Sequence, residues 1–185
     1  NWKDVLVVTD PADYDTALSA LKNGGADDKL HFRLAAKVFE LTAHYDAMIA
    51  QYLRSQYTEE NPNYLTVTFE KAQALRYGEN PHQKADFYKE PFEVKGAIAF
   101  AQQLHGKELS YNNISDADAA VEIVREFDIP CAVAVKHANP CGVGTGDTIC
   151  EAYLKAYNAD PVSVYGGIVA LNRICDEDTA SELSK

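Results

Sequence analysis

The chain has 185 residues, with 17 Lys and Arg against 28 Asp and Glu, a formal net charge of −11. Hydrophobic residues make up 46% and charged residues 24%, an ordinary globular composition that argues against intrinsic disorder. The acid excess argues against broad binding to nucleic acid or anionic membrane, and no apolar run is long enough for a transmembrane helix.

No secretory pattern opens the chain. It starts at Asn1 on structured-looking sequence and ends at Ser184-Lys185 within a helical pattern, so it reads as a piece of a longer protein. Cys131, Cys141, Cys150 and Cys175 include no C-x-x-C pair, and reduced thiols of a cytoplasmic protein are expected.

Val5 to Val8 is a short β-branched and apolar run, expected to form a buried strand. Asp10-Pro11 signals a helix start, and Asn23-Gly24-Gly25 stops that helix near Leu21. A longer helix is predicted from about Lys29 to Leu53. Leu34, Val38, Leu41, Tyr45, Met48 and Tyr52 form one stripe along it, suited to packing on a sheet. The polar stretch from Ser55 to Tyr64, centred on Glu59-Glu60-Asn61-Pro62-Asn63, reads as an interdomain linker.

Leu65 to Phe69 alternates like a strand. Leu75 to Gln83 has neither helical nor strand period and is read as a loop dense in functional groups. Ala85 to Tyr88 and Ala97 to Phe100 are expected as short strands. Ser115, with Asp118 three residues on, is the expected N-cap of a helix that buries Ala120, Ile123, Val124 and Phe127 and stops at Asp128-Ile129-Pro130. Cys131 to Val135 is a continuous apolar run, expected as a central strand buried on both faces. A helix near Thr148 to Tyr157 and a strand near Ile168 to Leu171 complete an alternation that implies α/β architecture.

The sharpest chemical feature is Lys136-His137-Ala138-Asn139-Pro140-Cys141-Gly142, where the buried strand ends. Ligands of α/β sheets gather beyond strand ends. Lys136 suits charge stabilisation and His137 proton transfer, and an ammonium close by would keep the imidazole neutral. Neighbours on a regular strand face opposite ways, so both serve one site only if the backbone leaves strand geometry at about Lys136. The same stretch compares poorly with the zinc signature of nucleotide deaminases, H-x-E followed by P-C-x-x-C. Asn139 stands at the Glu position and Gly144 at the second Cys, which leaves too few ligands for a catalytic zinc.

Gly142-Val143-Gly144-Thr145-Gly146 fits neither common phosphate-binding glycine pattern and is followed by Asp147, so flexible backbone or close packing is favoured over a phosphate cradle. In the loop, Arg76 suits a phosphate or carboxylate, Tyr77 can stack, and Asn80 and His82 add directional polar groups. Ser163-Val164-Tyr165-Gly166-Gly167 reads first as a turn.

Leu75-Arg-Tyr-Gly-Glu-Asn-Pro-His-Gln83, Gly106-Lys-Glu-Leu-Ser-Tyr-Asn-Asn113, Lys136-His-Ala-Asn-Pro-Cys-Gly142 and Tyr165-Gly-Gly-Ile168 occur in this order. Together they resemble the bifunctional AICAR formyltransferase/IMP cyclohydrolase family of purine biosynthesis, where AICAR is phosphoribosylaminoimidazolecarboxamide. The resemblance implies an α/β chain in two parts. Residues 1–64 would be the end of a methylglyoxal-synthase-like cyclohydrolase domain. Residues 65–185 would be the start of a cytidine-deaminase-like formyltransferase domain without zinc.

It further implies His137 as catalytic base, Lys136 as the neighbouring stabilising group, and Arg76, Tyr77, His82 and Gly166 as substrate-binding residues. The family's cyclohydrolase lysine would fall just before Asn1, and further formyltransferase groups would come from later in the chain and from a dimer partner. The implied co-substrate is 10-formyltetrahydrofolate, with no catalytic metal. The implied partners are AICAR, folate and a second copy of the parent chain, with neither nucleic acid nor membrane. Two other readings stay open at this point: a zinc-dependent nucleotide deaminase, and a non-catalytic dimerising fragment. This piece alone is expected to show little or no turnover.

Overall fold

A computed structural model describes residues 1–56 and 63–185. The chain divides into two compact units, Asn1–Phe69 and Glu70–Lys185. The centre of the expected linker, Glu59 to Pro62, lies outside the described residues.

In the first unit Asp10 caps a 3₁₀ turn over Pro11–Asp13 by accepting the Ala12 N–H at 2.9 Å, and α1 follows over Tyr14–Lys22. Helix α2 spans Asp28–Ser55, capped by Asp27, which accepts the Leu30 N–H at 2.8 Å. The two are tied by charge. Asp13 is buried, and its carboxylate meets Arg33 of α2 at 3.1 Å and also Lys37, which reaches Asp10 at 2.7 Å. The Asp10 carboxyl is held below its usual value, first by the hydrogen bond from Lys37.

Two expected strands are corrected here. Residues 5–8 and 65–69 are not strands, and Val5, Val7, Leu65, Val67 and Phe69 are exposed. A strand needs a hydrogen-bonded neighbour, and alternation of side chains does not supply one. The second segment instead gives its backbone to α2. Arg54 donates to the Tyr64 carbonyl at 3.2 Å and Gln51 to the Thr66 carbonyl at 3.4 Å. His44 Nδ1 lies 2.7 Å from the Thr68 hydroxyl. The α2 stripe is also corrected. Leu34 and Ala47 are buried, whereas Leu41, Tyr45 and Tyr52 are exposed, and the described residues of this unit contain no sheet to receive them.

The second unit opens on an antiparallel pair, β1 (Glu70–Ala74) and β2 (Asp86–Lys89), joined by the loop that carries Arg76. The strand expected over residues 97–100 is instead a 3₁₀ turn over Ile98–Phe100. Helix α3 runs Tyr111–Val124 and starts earlier than expected. Its N-cap is Ser110, not Ser115. Asn113 at the third helical position accepts from the Ser110 N–H at 3.2 Å, and Ser110 Oγ accepts the Asn113 N–H at 3.3 Å. Two Ser-x-x-polar patterns follow one another in this stretch, Ser110 to Asn113 and Ser115 to Asp118, and the earlier one makes the reciprocal pair. The helix also ends at Val124, before Asp128.

Strand β3 (Cys131–Lys136) is central and buried from Cys131 to Val135. It lies between β4 (Asn139–Thr145) and β5 (Ile168–Leu171), antiparallel to both. Its side chains alternate between two cores. Cys131, Val133 and Val135 pack with Ala120 and Val124 of α3. Ala132 packs on the other face with Ile149, Ala152, Tyr153 and Ala156 of α4, which spans Ile149–Ala159. The expected glycine-rich segment is therefore a strand. A methyl group on Gly142 would fall 1.9 Å from the Ala156 carbonyl oxygen, and one on Gly144 would fall 2.2 Å from that of Ala152. These glycines let a helix backbone rest on a strand backbone.

Short helix α5 (Pro161–Val164) leads into β5, and α6 (Glu177–Leu183) closes the unit. Asn172 brackets the start of β3: it accepts the Cys131 N–H at 2.8 Å and donates to the carbonyls of Phe127 and Ile129, both at 2.8 Å. Among the described residues, no helix is long and apolar enough to cross a membrane.

Candidate active site

Lys136 is the last residue of β3 and pairs with Asn139, the first of β4. His137 and Ala138 form the two-residue connection, with φ of 54° and 55°. Positive φ at both central positions is the signature of a type I′ hairpin turn, which usually calls for Asn-Gly. Neither residue here is glycine, so the turn carries a conformational cost of about 1–3 kcal/mol per residue. The backbone thus leaves strand geometry at His137, directly after Lys136, so the alternation that would point the two side chains to opposite faces does not apply.

Polar contacts hold this conformation. Ala138 N–H donates to Asp116 Oδ1 of α3 at 2.7 Å, and the Asn139 side chain donates to the His137 carbonyl at 2.7 Å. Past the turn the register slips between Ala134 and Val135, leaving Cys141 as an extra residue on β4. Pro140 is tolerated because β4 is an edge strand.

Lys136 is half-buried, and its ammonium donates to the Tyr165 carbonyl at 3.0 Å. That carbonyl precedes Gly166, whose φ of 74° turns the chain into β5. Lys136 and the Gly166 turn are therefore brought together. A cavity of about 500 Å³ beside this turn is lined by Tyr153, Tyr157, Val164, Tyr165, Gly166 and Glu182; neither Lys136 nor His137 lines it. His137 is exposed at the hairpin tip.

The arginine loop is closed by its own backbone. Leu75 N–H donates to the Ala85 carbonyl at 3.0 Å, Gly78 N–H to Gln83 at 2.9 Å, and Gln83 N–H to Asn80 at 3.0 Å. The Arg76 guanidinium lies 5.6 Å from the centre of the Tyr77 ring, within cation–π range. It also donates to Asn113 Oδ1 at 3.3 Å, while Asn112 donates to the Glu79 carbonyl at 3.3 Å. His82 is exposed on the same loop.

Helix α3 therefore carries both constellations. Asn112 and Asn113 hold the arginine loop, and Asp116, one helical turn on, holds the Lys136-His137 hairpin. Three residues of helix correspond to a rise of about 4.5 Å. Asn113 and Asp116 were missed as organising residues in the sequence. Asn113 had a visible signal, its place three residues after Ser110. Asp116 had none, since its partner is a backbone N–H 22 residues away.

Among the described residues, no group of three or more His, Cys, Asp or Glu side chains is gathered as for a metal. Cys131 is buried, and burial pushes its thiol pKa up, as befits a core residue. These features define a mixed helix-and-strand domain with polar loops gathered along one helix.

Comparison with known proteins is then direct. The family model described as "AICARFT/IMPCHase bienzyme" matches residues 1–185, and the chain belongs to that family. It is 62% identical over 184 residues to the bifunctional purine biosynthesis protein PurH of Bacillus thuringiensis (strain Al Hakam), covering 99% of this chain and 36% of that protein. It is 63% identical over 186 residues to the protein of the same name from Halalkalibacterium halodurans, covering 100% of this chain and 36% of that protein. The chain thus spans about 36% of the length of these curated relatives.

Proposed function

We propose that this chain supplies part of the nucleotide site of an AICAR formyltransferase/IMP cyclohydrolase acting in purine (IMP) biosynthesis. Residues 1–64 then belong to the cyclohydrolase domain and residues 65–185 to the formyltransferase domain. The reaction assigned to the second part moves a formyl group from 10-formyltetrahydrofolate to the 5-amino group of AICAR. In the parent protein, cyclisation of the product to IMP follows. The parent is proposed to be a cytoplasmic homodimer.

The chemistry suits the residues. The AICAR amine is conjugated with its ring and carboxamide, so it is a weak nucleophile. Its attack on the formyl carbon releases a proton and builds a tetrahedral oxyanion. Collapse of that oxyanion breaks the bond from the formyl carbon to N10 and, with a proton returned to N10, releases tetrahydrofolate. An imidazole nitrogen that carries no proton can take the proton released by the amine, as general base. A placed ammonium stabilises the developing negative charge. His137 is assigned the first role and Lys136 the second. Arg76 anchors the anionic nucleotide with Tyr77 beside it, His82 adds a polar contact, and the Gly166 backbone borders the substrate. No metal is needed for this route, and the substitutions at Asn139 and Gly144 agree with that.

The observation that carries the reading is the left-handed step at His137, held from two sides and adjoining a Lys136 already tied to the Gly166 turn. The test is single-turnover formyl transfer by the complete protein. Replacing His137 with Ala is expected to slow it by on the order of 10²–10⁴. A near-normal rate would reject the assignment. Arg76→Ala is expected to weaken nucleotide binding, and an unchanged dissociation constant would remove it as anchor.

A further inference from the structure

One peptide plane, the one joining His137 to Ala138, is gripped at both ends. Its carbonyl accepts from the Asn139 side chain at 2.7 Å, and its N–H donates to Asp116 Oδ1 at 2.7 Å. The first contact is local to the hairpin. The second comes from α3, a separate element that packs on β3 through Ala120 and Val124. Asp116 is half-buried on the second turn of that helix, whose first turn is locked by the Ser110–Asn113 capping box.

Fixing that plane fixes the ψ of His137 and the φ of Ala138, and thereby the position from which the imidazole leaves the backbone. The same face of α3 binds Arg76 through Asn113. A carboxylate at residue 116 therefore sets the imidazole relative to the nucleotide-anchoring loop. We propose that Asp116 is a positioning residue for formyl transfer, holding His137 in its left-handed conformation through the Ala138 N–H. The proposal rests on the reading of His137 as the base. Asp116 is not asked to touch the substrate.

The test uses the complete protein and four single variants: His137→Ala, Asp116→Ala, Asp116→Asn and Asp116→Glu. Asn retains an acceptor oxygen at the same reach. Glu retains the charge and moves the acceptor by one methylene. Misplacement of a catalytic group by about 1 Å costs on the order of 100-fold. Asp116→Ala and Asp116→Glu are therefore expected to lower kcat about 10- to 100-fold. KM and Kd for the nucleotide should stay within about twofold, since Arg76 keeps its Asn113 contact. Asp116→Asn should keep most of kcat.

A merely structural role would move KM, Kd and melting temperature together. A role of the charge itself would leave Asp116→Glu active and Asp116→Asn impaired. Either pattern overturns the proposal. If Asp116→Ala does not fold, Asp116→Glu carries the test, and full kcat there overturns it. The two levels separate cleanly. A fast His137→Ala variant removes the underlying reading and this inference with it. A slow His137→Ala variant beside fast Asp116→Ala and Asp116→Glu variants removes the inference alone.

Discussion

Gly142→Ala distinguishes close packing from a flexible turn by the sign of its effect. An added methyl would lie 1.9 Å from the Ala156 carbonyl oxygen and 2.9 Å from its carbon, whereas ordinary contact begins near 3.4 Å. Helix α4 would have to retreat by the difference, 3.4 − 1.9 = 1.5 Å. Both partners are backbone, so no rotamer change relieves the clash. Retreat also opens the core that Ala132 shares with Ile149, Ala152, Tyr153 and Ala156. Overpacking typically costs about 1–3 kcal/mol, and a backbone clash belongs at the upper end, so about 3 kcal/mol is expected. With a urea m-value of about 2 kcal/mol/M, the midpoint should fall by about 1.5 M. The assay is urea denaturation followed by far-ultraviolet circular dichroism, with the parent alongside. If this segment were instead a flexible loop, Gly→Ala would stabilise by about 0.4–1 kcal/mol through the unfolded state. A midpoint equal to or above that of the parent would therefore refute the packing of α4 on β4 described here.

Asn172→Ala removes three hydrogen bonds at once and leaves the N–H of buried Cys131 without its acceptor. A loss of about 2–3 kcal/mol is expected, and urea midpoints within about 0.3 M of the parent would contradict it. Asp176 caps α6, and the hydrogen bonds from the Thr179 hydroxyl and N–H hold its carboxyl below the ordinary 3.8. A lowered folded-state value means that its stabilisation is complete above the unfolded value and is lost as pH falls through the lowered one. Asp176→Asn keeps a capping oxygen and abolishes that titration. The variant should therefore lose less stability than the parent between pH 5 and pH 3, and parallel losses would exclude this linkage.

Much of the second unit was legible because its signals are local. Cys131 to Val135 reads as a buried strand from five consecutive apolar residues, and Ile168 to Leu171 from four, each matching the strand found. Helix α2 of the first unit was placed by the stepping of its apolar residues and α4 near Thr148 to Tyr157, whereas their caps, Asp27 and Thr148, are findings of the structure. Strand β4 was not legible, because Pro and two Gly within seven residues depress strand propensity. Those residues are there for an edge position and for contact with α4, facts about a neighbour. Residues 5–8 and 65–69 failed for the converse reason: their pattern is strand-like, but the described residues of their unit offer no ladder.

The amino-acid order by itself determined which groups were available: Lys136 next to His137, Arg76 next to Tyr77, and a zinc motif missing its Glu and second Cys. Local chemistry encodes such lists, and four motifs in order carried the family resemblance. Tertiary structure alone decided how the lists meet. It bent the chain left-handed at two non-glycine residues, tied Lys136 to the Tyr165 carbonyl, and hung the arginine loop and the histidine hairpin on one face of α3. Those contacts join residues 22 to 37 positions apart, and no propensity or spacing rule reaches that far.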